Sequence, residues 1–94
     1  MRYLERKALH FYDGVMANLT PALVRAARGL LNWTQGDLAR AANVGPSTVR
    51  NYEVGRSVPV ANNLAAIQAA FEGAGIEFIP ENGSGAGLRM KVPG

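Results

Sequence analysis

The stretch Thr34-Gln-Gly-Asp-Leu-Ala-Arg-Ala-Ala-Asn-Val-Gly-Pro-Ser-Thr-Val-Arg-Asn-Tyr-Glu-Val-Gly-Arg56 reads as two short helices folded across a tight turn. Thr34, followed three positions later by Asp37, has the spacing of a capping box, and Gly45-Pro46 places a proline where the second helix would begin. The first helix is expected from Thr34 to about Ala42 and the second from Pro46 to about Glu53, stopped by Gly55. Trp33 with Leu38, and Val44 with Val49, stand at the positions of hydrophobic staples. Ala39 is small where the two helices must approach closely, and Asn43 falls in the turn, where a positive φ is expected. Val49 and Tyr52 would then face inward, leaving Ser47, Arg50, Asn51 and Val54 outward.

Upstream, Thr20 and Pro21 open another helix, with Leu19 and Val24 as its staple, and Asn32 lies just past its end. Its core face is expected to be Leu23, Ala26, Ala27, Leu30 and Leu31. Arg25 and Arg28 lie off that stripe, and for Arg25 a solvated position is expected, with a phosphate contact as the sharper reading. Downstream, Val60, Leu64, Ile67 and Phe71 are spaced for a helix from about Val60 to Glu72, ended by Gly73 and Gly75. Ile76-Glu-Phe-Ile and Leu88-Arg-Met-Lys-Val each alternate like half-buried strands, joined by a glycine-rich loop over residues 81–87. In that hairpin Arg89 and Lys91 share the face that can meet Glu77. Because a two-stranded ribbon is marginal alone, it must pack on the helices, pair with another chain, or stay partly flexible.

A chain of 94 residues holds one small core, and with no cysteine it has neither disulfides nor thiolate metal sites. Nothing approaches the roughly 20 apolar residues of a membrane span, and the N-terminus lacks the apolar core of a signal peptide, so a cytoplasmic protein is expected. The net charge of +3 permits a polyanionic partner without establishing one. Residues 1–19 mix charges and aromatics without clear periodicity and are expected to form an N-terminal arm, with Met16 a conceivable alternative start. The division is then arm 1–19, helical domain 20–75, and strand or hairpin with tail 76–94.

Gln35, Leu38, Ala39, Val44, Thr48, Val49, Tyr52, Glu53 and Gly55, with Pro59 and Leu64 beyond, make residues 20–72 resemble the phage repressor and Cro type of helix-turn-helix, the XRE-like regulators. The resemblance implies a mainly α domain of four to five helices, here with a short C-terminal β-hairpin, and a homodimer on double-stranded DNA with an inverted-repeat operator. It also implies that Gln35 contacts the DNA backbone and that Arg28 pairs with Glu53, a structural ion pair joining two helices. An acid on a DNA-facing helix would oppose the phosphate field unless turned inward and neutralised.

The physical reading of the second helix points the same way. A helix fits the major groove, and Ser47, Arg50 and Asn51 lie near its start, where side chains reach base edges. Arginine can grip guanine through two bonds, so Arg50 is the expected main reader, its alternative being a surface pair with an acidic neighbour. Thr34 and Gln35 stand at a helix N-terminus that favours a phosphate, and Thr48 is a third candidate phosphate contact, its alternative being a local bond to the backbone. Two departures from the family pattern matter: Asn43 stands in place of the usual turn glycine, and Gly45-Pro46 in place of a more polar helix start.

An antitoxin-type autoregulator, gripping a partner protein through the arm or the ribbon, fits the same sequence. An enzyme does not: the only histidine, His10, has no companions with metal or nucleophile spacing, and Gly83, Gly85 and Gly87 precede no helix or lysine-serine pair. No cofactor and no metal are expected.

Overall fold

The computed structural model describes residues 19–81 and 83–91. The expected arm, Met16 and His10 lie outside the described residues, apart from Leu19. Among the described residues four helices, α1 (Pro21–Leu31), α2 (Gln35–Ala42), α3 (Pro46–Glu53) and α4 (Ala61–Gly73), precede the strands β1 (Ile76–Ile79) and β2 (Gly87–Met90).

Local chemistry sets the helix ends. The Thr20 hydroxyl accepts from the Leu23 amide at 3.1 Å, and Pro21 occupies the first turn of α1. At α2 the capping box is complete: the Thr34 hydroxyl accepts from the Asp37 amide and the Asp37 carboxylate from the Thr34 amide, both at 2.9 Å. Helices α1 and α2 both stop on an asparagine in the left-handed region, Asn32 at φ 58° and Asn43 at φ 57°. In each case the next amide reaches back five residues, Trp33 to the Arg28 carbonyl and Val44 to the Ala39 carbonyl, the closure of a Schellman motif. Helix α3 closes in the same way through Gly55 at φ 78° and the Arg56 amide on the Asn51 carbonyl.

The core draws on all four helices and β1, Val24 and Ala27 from α1, Leu38 and Ala39 from α2, Val49 and Tyr52 from α3, Ile67 and Phe71 from α4, and Ile76 from β1, while the partly buried Leu88 of β2 packs against it. Two expectations are corrected. The buried face of α1 is Val24, Ala27 and the partly buried Leu31, whereas Ala26 is exposed and Leu30 is half exposed. The helix is rolled toward its Val24 and Arg28 side, because Arg28 is drawn in against Glu53. Val60 is also exposed, at 68%: it is the extended N-cap of α4, so its side chain leaves the stripe that Leu64, Ile67 and Phe71 continue.

Strands β1 and β2 pair antiparallel, Ile76 with Met90, Glu77 with Arg89 and Phe78 with Leu88. Arg89 reaches Glu77 at 3.1 Å, while Lys91 lies past the end of β2, its amide donating to the Gly75 carbonyl at 2.7 Å. The ribbon packs within its own chain, β1 on α4 and β2 on α1. Trp33 stacks on Phe71 at 5.8 Å between centroids, and Phe78 meets Phe71 edge-on at 6.0 Å. That column ties the lead-in to α2, helix α4 and the hairpin together.

Candidate nucleic-acid interface

Helix α3 begins without a side-chain cap, its N-cap Gly45 extended at φ −69° and ψ 145° and Pro46 in the first turn. Positions 47, 50, 51 and 54 recur at helical spacing and share one face. Ser47 and Arg50 are exposed, Asn51 is half-buried, and Val54 extends the face as an exposed apolar residue, 66% accessible. Among the described residues nothing accepts a hydrogen bond or pairs in charge with the Arg50 guanidinium. Its expected alternative, a surface pair with an acid, is therefore not formed there. Thr48 is half-buried and turned toward the helix start, where a Cβ added to Gly45 would stand 3.6 Å from its hydroxyl.

Behind this face the opposite side of α3 is fixed to α1. The Tyr52 hydroxyl donates to the Leu19 carbonyl at 2.8 Å, and burial pushes its pKa up. Glu53 is only 3% exposed. Arg28 meets it as a two-pronged fork, Nε to Oε2 and Nη2 to Oε1, both at 2.7 Å, while Arg28 Nη1 donates to the Trp33 carbonyl at 2.9 Å. Burial alone would raise the Glu53 carboxyl. Hydrogen bonds from Arg28 and Gln35, with the positive charges of Arg28 and Arg25, outweigh it and hold the carboxyl below its ordinary range. The hydrogen bond to Glu53 in turn raises the Arg28 pKa, more than its desolvation lowers it.

Gln35 is part of this network. Its side-chain amide donates to Glu53 Oε1 at 3.0 Å, so the side chain is turned partly inward. At the start of α2 the Asp37 carboxylate occupies the Thr34 amide, and Arg40 pairs with Asp37 in turn. The bond from the Thr34 amide leads the causes that lower the Asp37 pKa. The next amides, of Gln35 and Gly36, meet no acceptor among the described residues, which leaves two main-chain donors at a helix N-terminus for an anionic oxygen.

Sequence reasoning placed Arg25 on the surface, where it is exposed, but missed its contact. It is neither simply solvated nor left free, because Nη1 donates to the main-chain carbonyl of Glu53. Its spacing of one helical turn from Arg28 was the available signal, since two arginines at i and i+3 reach the same neighbouring helix.

A basic and polar helix face, held at its back by buried contacts and flanked by open amides of the preceding helix, has the chemistry of a groove-reading element. A family model described as helix-turn-helix matches residues 24–75, from within α1 to just past the end of α4. No curated protein matches the chain. The match covers more than half of the sequence, and the chain belongs to the XRE family of helix-turn-helix proteins, DNA-binding transcription regulators.

Proposed function

We propose that the chain is a sequence-specific repressor that inserts α3 into the major groove and binds an inverted-repeat operator as a homodimer. The observation that carries this reading is Arg50, exposed on the outward face of a rigidly backed helix with no acceptor among the described residues. In this reading Arg50 grips a guanine edge, and Ser47 and Asn51 take neighbouring base edges. The open amides of Gln35 and Gly36, with Thr34 and Thr48 beside the groove, hold phosphates and set the depth of docking. An eight-residue α3 reads only a few base pairs, too few for useful discrimination, which is the argument for two copies with their α3 helices about 34 Å apart. Occlusion of a promoter is the simplest mode of action, in the cytoplasm where the DNA is accessible.

The antitoxin-type reading needs either the arm, which lies outside the described residues apart from Leu19, or a ribbon free to grip a partner protein. For the ribbon, the packing of β1 on α4 and β2 on α1 favours a role in completing the fold.

The test is selection of bound duplexes from random DNA, followed by a gel shift with Arg50→Ala. The expected result is an enriched palindrome whose affinity falls with salt. Loss of one arginine-guanine pair should cost about 1–3 kcal/mol of discrimination, with no change in melting temperature. No enriched sequence, or an Arg50→Ala protein that binds as wild type, would sink the proposal.

A further inference from the structure

We infer that Arg25 is a positioning residue for DNA reading: it fixes the last turn of α3 against α1 and so sets the angle at which Arg50 is presented. The inference rests on the reading of α3 as the base-contacting helix.

The main-chain carbonyls at the end of α3 supply the argument. A helix leaves its last carbonyls without partners inside the helix, and each must be satisfied from elsewhere. The Arg50 carbonyl accepts from the Val54 amide at 3.2 Å, the Asn51 carbonyl from Arg56 at 2.8 Å, and the Tyr52 carbonyl from Gly55 at 3.0 Å. These three bonds are local and would form in α3 wherever it lay. The fourth carbonyl, of Glu53, is taken by the Arg25 guanidinium, a contact spanning 28 residues of sequence.

The negative end of the helix dipole adds to that attraction. One turn further along α1, Arg28 holds the side chain of the same glutamate. Two arginines of α1 thus hold one residue of α3, one by its carboxylate and one by its backbone. A carboxylate on a flexible side chain can stay paired while the helix rolls slightly, whereas a backbone carbonyl moves with the helix itself. Arg25 therefore constrains α3 in a way that Arg28 does not. Arg50 lies in the turn that ends at Glu53, so a roll of that turn displaces its guanidinium directly, and base contacts tolerate little displacement. Arg25 is itself exposed, so its removal opens no cavity.

The test uses the full chain, a duplex it selects from random DNA and a scrambled duplex of equal length. Arg25→Ala should bind the selected duplex roughly tenfold more weakly, the size of a weakened Arg50 base contact, and the scrambled duplex within about twofold of wild type. The slope of log affinity against log salt should not change, and Arg25→Lys, which can still donate to the carbonyl, should recover most of the loss. Equal losses on both duplexes, with the salt slope reduced by about one, would make Arg25 a phosphate contact and overturn the inference. So would unchanged binding to the selected duplex, or a drop in melting temperature with discrimination intact. A wild-type protein that prefers no sequence would overturn the base-reading role of α3 and this inference with it.

Discussion

Glu53 is a carboxylate removed from water, a costly arrangement unless both oxygens are paired. It receives three side-chain hydrogen bonds, two from Arg28 and one from Gln35. Arg28 keeps 20% of its side-chain surface in water, whereas Glu53 keeps 2%, and that asymmetry orders the expected mutant effects. Arg28→Ala strands a buried charge and should cost about 3–5 kcal/mol at neutral pH. Glu53→Ala leaves a guanidinium that still reaches solvent and should cost less. The pH dependence follows from the lowered carboxyl pKa. A carboxyl that titrates lower in the folded state stabilises the fold fully above its unfolded value, about 4.3, and that contribution is lost as pH falls through the folded value. Urea unfolding of wild type and Arg28→Ala across pH 7 to pH 3 should therefore show the gap between them shrinking in acid, as the contribution of the paired carboxylate is lost below its unfolded value. A gap independent of pH would mean that the pair does not carry the stability.

Element ends depend on neighbours in sequence, which is why they could be read before the fold. Thr20 and Thr34 as caps, Asn32, Asn43 and Gly55 as left-handed stops, and the alternating strands rest on contacts within about five residues. The roll of α1 and the exposure of Val60 rest on what lies across the core, and no local spacing encodes them; the spacing of Arg25 and Arg28 puts both on one face but does not say which atom of α3 each meets. The same division applies to the candidate site: the outward face of α3 follows from its periodicity, but the inward turn of Gln35 depends on where Glu53 comes to rest. At the turn between α2 and α3, Asn43 tests the local argument alone. An ordinary side chain at φ 57° is strained, so Asn43→Ala should lose about 1–2 kcal/mol, while Asn43→Gly, free of that strain, should stay close to wild type. Thermal melts of the two variants check this, and equal losses in both would mean that the asparagine side chain matters for some other reason.

At the scale of the whole molecule the hairpin decides where the folding unit ends. A core this small has little to spare, and the family match stops at residue 75, just short of Ile76. Ile76 is 1% exposed, and Phe78 lies against Phe71, which also stacks with Trp33. The exposed pair of Glu77 with Arg89 adds little, since such bridges are worth about 0–1 kcal/mol, so the ribbon holds to the domain through its apolar face. Removing it would uncover Phe71 and leave the α1 surface under β2 bare. Ile76→Ala should consequently cost about 2–5 kcal/mol, as a buried aliphatic truncation does. A chain ended at Gly75 should fail to unfold cooperatively in urea, even though it retains α1 to α4 and every residue assigned to DNA. Were the ribbon an appendage for capturing another protein, the shortened chain would instead melt as sharply as the full one and bind the selected duplex with the same affinity.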